Sequence, residues 1–233
     1  MQVIYHGHAF IEIKDTHGSI LIDPFIIGNK TSDIKSIDAL IDKNITAICI
    51  THGHTDHVWQ SIELAAQHPE AIMITTFGVG KRLKDQWVNN TIYWLGIWWK
   101  YISDSYEILL TPALHDWAIM DSVLSTPPSG MIITINSKKI YHAGDTALTQ
   151  DLKLVWELRW PIECAFLPIW WYYTMWLEDA VTACGWIKPV TVVPIHYNTF
   201  PEIKADPIEF ARLVMLNKFA VPKVLVSGQY VVL

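Results

Sequence analysis

Between Thr51 and Val58 the chain reads Thr-His-Gly-His-Thr-Asp-His-Val, which places His52, His54, Asp56 and His57, four side chains able to bind a metal, within six positions. Imidazoles and a carboxylate suit a borderline divalent ion such as zinc, manganese or iron. Gly53 lets the backbone turn tightly enough for its neighbours to converge. A solvated His-rich turn is the plain alternative, and the density of ligands is what speaks against it. Three further groups, His115, Asp145 and His196, fall at or just past the ends of predicted strands. Singly they read as a loop residue, a turn former in Ala143-Gly144-Asp145-Thr146 and a satisfied core histidine. Their recurrence at strand ends favours one shared site, because layered α/β proteins assemble their chemistry in such loops.

The elements that must position these residues alternate along the chain without low-complexity linkers. Val3 to Ile13 and Ser19 to Ile22 read as paired strands around a polar turn at Asp15 to Gly18. Ile45 to Ile50 is a short apolar run ending at the His motif, as a buried strand would, so the motif is expected on a strand-to-helix loop. A helix over Gln60 to Gln67 and a strand over Ala71 to Thr75 follow. Further strands are predicted at Tyr106 to Thr111, Met131 to Ile135, Lys139 to His142, Cys164 to Pro168 and Val190 to Ile195. Helices are predicted at Leu152 to Arg159, Glu178 to Trp186 and Pro207 to Asn217.

With 233 residues, 51% of them hydrophobic, the chain can bury a sizeable core, and a single domain over residues 1–233 is the simplest expectation. A net charge of -6 and a pI near 5.9 argue against a surface built to neutralise nucleic-acid phosphates. Cys49, Cys164 and Cys184 are odd in number, far apart and set in apolar segments, as buried free thiols of a reducing compartment would be. His6 and His8 interrupt the place where a secretory signal needs an apolar core, so a cytoplasmic location is expected. The aromatic stretch Trp170 to Trp176 is too short to span a bilayer, and no membrane partner is expected.

Read together, these pieces resemble the metallo-β-lactamase superfamily over nearly the whole chain. The likeness is carried by Thr51-His52-Gly53-His54-Thr55-Asp56-His57, His115, Tyr141-His142-Ala143-Gly144-Asp145-Thr146 and Pro194-Ile195-His196-Tyr197-Asn198-Thr199-Phe200-Pro201. Tyr5-His6-Gly7-His8, Ile22-Asp23-Pro24-Phe25 and Phe166-Leu167-Pro168-Ile169 resemble in particular the small prokaryotic metal-dependent hydrolases related to ascorbate-phosphate lactonase. The resemblance implies an α/β fold, an αββα sandwich of two mixed sheets with outer helices. It implies two divalent ions, zinc foremost with manganese or iron as alternatives. One ion would rest on His52, His54 and His115, the second on Asp56, His57 and His196, with Asp145 bridging them. A hydroxide between the ions would attack an ester, lactone, amide or phosphoester. Asp56 and His142 are the candidate catalytic residues; Asp23, His8 and again His142 could fix ligand groups in place. His17 and His68 fall in polar, surface-like turns and have no expected role.

The chain also departs from the pattern it resembles. Where that family carries Gly-Asp-Asn-Phe-Thr-Met-Gly-Pro, this sequence has Trp170-Trp171-Tyr172-Tyr173-Thr174-Met175-Trp176-Leu177. Trp59, Trp98, Trp99, Trp117 and Trp156 add to the aromatic load, and twelve tryptophans is a high number for this length. Core packing is the expected role of Trp87 and Trp186. Trp59, Trp98, Trp99, Trp117, Trp170, Trp171, Tyr172, Tyr173 and Trp176 are expected to wall a pocket for a bulky hydrophobic substrate. The competing expectation is a non-catalytic scaffold, diverged or engineered, whose aromatics bind a hydrophobic ligand or join copies of the chain as a homo-oligomer.

Overall fold

The protein is described from a computed structural model that covers residues 1–116 and 126–233. Trp117, one of the expected pocket residues, lies outside the described residues. In chain order the strands are β1 (Gln2–Tyr5), β2 (Ile11–Lys14), β3 (Ser19–Ile22), β4 (Ile45–Cys49), β5 (Ile72–Thr76), β6 (Ile92–Leu95), β7 (Lys100–Ile102), β8 (Glu107–Pro112), β9 (Ser129–Ile135), β10 (Lys138–His142), β11 (Cys164–Pro168), β12 (Thr191–Ile195), β13 (Val221–Pro222) and β14 (Tyr230–Val232). The helices are α1 (Thr55–Val58), α2 (Ser61–Gln67), α3 (Phe77–Asp85), α4 (Leu152–Arg159), α5 (Leu177–Ile187) and α6 (Pro207–Asn217).

Two compact units divide these elements. The first includes Met1–Gly96 and Val226–Leu233, the second Ile97–Asp116 and Pro128–Leu225. Each contains one seven-stranded sheet, ordered β14-β1-β2-β3-β4-β5-β6 in the first and β7-β8-β9-β10-β11-β12-β13 in the second. Both sheets are mixed in the same way. From β14 to β3 and from β7 to β10 the neighbours pair antiparallel; from β3 to β6 and from β10 to β13 they pair parallel. Strands of a parallel region tend to be buried on both faces and read as near-continuous apolar runs. That is how β11 and β12, buried throughout, stand out in the sequence. Asp23 follows β3, His52 follows β4, Asp145 follows β10 and His196 follows β12, so the parallel region of each sheet delivers these four, whereas His115 follows the antiparallel strand β8.

Each unit has its own apolar cluster. Phe10, Leu21, Ile48, Leu64, Met73 and Leu83 belong to the first. Leu109, Tyr141, Leu167, Cys184 and Phe210 belong to the second. The three cysteines are free and buried, as expected, and desolvation pushes the thiols of Cys164 and Cys184 up to about 12, far from reactive thiolates.

Several expectations are corrected. The single strand predicted over Val3 to Ile13 is two strands, because Gly7 (φ 92°) and His8 (φ 58°) turn the chain and Phe10 N donates to Gly7 O at 3.1 Å. The metal motif does not stay a loop after His54; it opens the one-turn helix α1. Trp87 is no core residue: it follows the end of α3 in a left-handed conformation (φ 63°) and is 87% exposed. His68 is buried, not a surface residue, and desolvation lowers its pKa.

Gly130 on β9 shows how tightly the strand end carrying Asp145 is packed. A Cβ there would stand 2.6 Å from Thr111 Oγ1, 2.8 Å from Ala143 O and 2.9 Å from His142 O. Two of these neighbours are backbone and cannot swing away. Gly130→Ala is therefore expected to lower stability by about 1–3 kcal/mol, read as a fall in the urea midpoint with the slope unchanged.

Candidate metal centre

In the first unit the site is organised around Asp23, fully buried and left-handed (φ 47°) at the end of β3. Its Oδ1 accepts the Thr51 amide at 2.8 Å, and its Oδ2 accepts the Thr51 hydroxyl at 2.6 Å and His57 Nδ1 at 2.7 Å. Donation from Nδ1 leaves His57 Nε2 as the nitrogen available to a metal. The same logic extends to His52. Thr51 Oγ1 gives its proton to Asp23, so at 3.0 Å it accepts from His52 Nδ1 and leaves His52 Nε2 available.

His52 Nε2 and His54 Nδ1 lie 3.0 Å apart. Two nitrogens sharing a tetrahedral ion at about 2.0–2.1 Å would stand roughly 3.3 Å apart, so this pair fits one metal with little movement. His8, Asp56 and His57 each offer a ligand atom within 4.8 Å of the other two. Within that group His8 Nε2 donates to Asp56 Oδ2 at 3.0 Å, while His57 Nε2 stands 3.9 Å from the same oxygen. The donors are nitrogen and oxygen only, a set that accepts zinc, manganese or iron.

The second unit brings His115, Asp145 and His196 together. Asp145 Oδ2 lies 3.1 Å from His196 Nε2 and 3.6 Å from His115 Nε2. His115 Nδ1 donates to the Tyr173 carbonyl at 2.9 Å, which selects its Nε2 as the ligand atom. His196 stands in a left-handed conformation (φ 58°) with its ring stacked on Trp170, the ring centroids 5.5 Å apart and the planes 6° from parallel. His142 is buried and accepts the Gly144 amide on Nδ1 at 3.1 Å, which shapes the turn leading into Asp145. No side-chain pattern signals the Tyr173 carbonyl, a backbone atom, and Thr51 reads in the sequence only as a neighbour of His52.

The expected aromatic wall divides. Trp170, Trp171, Tyr172, Tyr173 and Trp176 form one run of ring contacts, with centroids 4.5 to 5.3 Å apart. Trp170 is buried at its root and the other four are exposed. Trp98 packs instead against the apolar cluster of the second unit, its ring under the Arg159 guanidinium at 5.7 Å. Trp156 and Trp186 likewise face cations, Lys188 at 4.7 Å and Lys153 at 4.5 Å. Trp59 and Trp99 are exposed, Trp59 capping α1 in the first unit.

The model of the beta-lactamase superfamily domain matches residues 19–197. The chain belongs to the metallo-β-lactamase superfamily. It is 40% identical over 238 residues to a "UPF0173 metal-dependent hydrolase" of Bacillus thuringiensis, covering all of both chains. Among solved structures it resembles Igni18, a metallo hydrolase from the archaeon Ignicoccus hospitalis, with a TM-score of 0.88, 32% identity, and 99% and 97% of the two chains covered. An isothiocyanate hydrolase from Delia radicum gut bacteria shares the fold, with a TM-score of 0.75 at 17% identity over 100% and 99% of the chains. The metallo-β-lactamase α/β fold is thus established, and the chain is a metal-dependent hydrolase of this superfamily. Among the described residues no helix is long and apolar enough to cross a membrane.

Asp23 touches the ligands without needing to touch the metal. Asp23→Asn replaces one acceptor with a donor facing Thr51 and His57, and metal affinity is expected to fall about 10–100-fold with the circular dichroism spectrum unchanged. Competition against a chromophoric chelator measures it; an unchanged affinity would contradict the orienting role.

Proposed function

We propose that the protein is a dinuclear hydrolase acting on an ester, lactone, amide or phosphoester that carries a bulky hydrophobic group. His52, His54 and His115 would hold one ion, Asp56, His57 and His196 the other, with Asp145 serving both. The observation that carries the reading is Asp145 Oδ2 within reach of both the His115 and His196 nitrogens. Its support in the sequence is a family model that spans both sets of residues. Such ions supply Lewis acidity, acidifying water and polarising the carbonyl or phosphoryl oxygen under attack.

The chain's own residues do the rest. His8 Nε2 stands 3.0 Å from Asp56 Oδ2 and holds this carboxylate in place, where Asp56 would orient the attacking water. The Asp56 side chain is 24% exposed, so water can reach it. Tyr173 and Trp170 hold His115 and His196 in position from one turn. The four exposed aromatics that continue this turn carry no charge and favour a neutral, apolar substrate over a phosphorylated sugar. Their exposure also favours a second reading, in which they join two copies of the chain or hold a hydrophobic ligand without turnover.

Purified protein is expected to hold two ions per chain by elemental analysis and to hydrolyse a chromogenic ester, lactone or phosphodiester, with His54→Ala and Asp145→Ala each abolishing turnover. Metal-free protein, or turnover unaffected by both changes, would sink the enzyme reading. Trp171→Ala combined with Trp176→Ala is expected to lower kcat/KM for an aryl ester by about 10–200-fold. If that pair instead converts a dimer to monomer in sedimentation while kinetics hold, the interface reading replaces the substrate one.

A further inference from the structure

We propose that the buried polar cluster around His6 is a positioning device that holds His8 against Asp56. The inference rests on the proposed function in one respect, that Asp56 works in the metal centre. His6 is almost completely buried and is gripped at both ring nitrogens, with Nδ1 2.9 Å from Asp33 Oδ1 and Nε2 3.1 Å from Glu12 Oε2. Glu12, fully buried on β2, also accepts Lys43 Nζ at 2.6 Å and Ser19 Oγ at 2.6 Å. Burial raises the Glu12 pKa, but the hydrogen bonds from His6, Lys43 and Ser19 outweigh it and hold the carboxyl down at about 2. At the other end Asp33 Oδ1 accepts Ser227 Oγ at 2.7 Å, and Ser227 Oγ accepts the Asp33 amide at 2.8 Å.

Two residues on, the chain needs that grip. Gly7 takes φ +92°, and a Cβ on it would stand 2.8 Å from Thr31 Oγ1 and 3.0 Å from Thr31 C, so residues 31–32 close directly over the turn. His8 then adopts φ 58°, a left-handed conformation that costs a β-carbon-bearing residue about 1–2 kcal/mol and persists where the surroundings over-determine it. In that conformation the His8 ring lies between Phe25, at 5.4 Å, and His57, at 5.7 Å, with Nε2 3.0 Å from Asp56 Oδ2. The cluster is a poor way to gain stability, since apolar replacements of buried ion pairs are often neutral or better. What it does supply is direction: hydrogen bonds at both nitrogens fix the plane of His6, and with Gly7 wedged beneath Thr31 the backbone leaves His8 one orientation.

The test is His6→Phe, with His8→Phe and the double variant. In metal-free protein the Nε2 proton of His8, followed by long-range proton–nitrogen NMR, is expected to be protected in the parent and to exchange rapidly in His6→Phe. In zinc-loaded protein, kcat should fall about 10–100-fold with KM within about twofold. The double variant should lose no more than His8→Phe alone, because the two residues act in series. Additive losses, or a His8 proton unchanged in His6→Phe, would overturn the proposal. If His6→Phe fails to fold, Asp33→Asn loosens the outer end of the same grip and is read by the same signals. The NMR result does not depend on turnover, so an inactive parent protein would count against the hydrolase reading while the His8 signal still decides this one.

Discussion

The three hydrogen bonds that converge on Asp23 are the constraint on which the metal motif depends. A buried carboxylate is tolerable only when donors replace the water it has lost. All three donors come from Thr51 and His57, the two sides of the motif. The requirement to satisfy Asp23 therefore fastens the end of β3 to the segment after β4 and at the same time turns the Nε2 edge of His57 away from Asp23. Through Thr51 Oγ1 it also turns the Nδ1 edge of His52 and leaves its Nε2 facing His54. One carboxylate thus sets the orientation of two imidazoles.

Backbone strain marks the same places. His8, Asp23 and His196 all have positive φ, at 58°, 47° and 58°. Residues with a Cβ seldom sit there unless neighbours hold them, and such positions gather at functional sites. In the first unit the holders are the His6 cluster and the donors to Asp23; in the second, Trp170 stacks on the His196 ring. The two sheets repeat one pattern of three antiparallel and three parallel pairings; Asp23, His52 and His196 follow strands of the parallel regions and Asp145 follows β10 at the border of one, while His8 and His115 follow antiparallel strands. Strand ends of that kind leave backbone and side chains free for chemistry while the strand itself stays rigid.

Much of this was legible in the sequence, for physical reasons that differ from residue to residue. Helices α4 and α6 and strand β11 have the boundaries their apolar patterns predict, because burial on one helical stripe or on both strand faces leaves an unambiguous trace. The ligand candidates were visible because imidazoles and carboxylates at strand ends are chemically conspicuous. What stayed hidden was carried by backbone geometry or by half-exposed short elements. Strands β6 and β7 are half-exposed edge pieces with no clean alternation, and the break at His6 to Phe10 depends on left-handed torsions at Gly7 and His8 inside an otherwise strand-like run. The Tyr173 carbonyl that orients His115 has no signature in a side-chain alphabet. The tryptophans were the hardest to read: Trp98, Trp156 and Trp186 have cations over their rings, Trp87 is simply exposed, and the run from Trp170 to Trp176 forms a chain of ring contacts that begins at His196.

The proposed function has the imidazoles and carboxylates of this chain holding two ions in one centre. Anomalous diffraction at the zinc absorption edge, from crystals grown with the metal, tests it most directly. The account predicts two peaks about 3.5–4 Å apart, with Asp145 between them and His57 and His115 bound through Nε2. A single peak, or peaks on His17 or other surface groups with the motif histidines unbound, would contradict it.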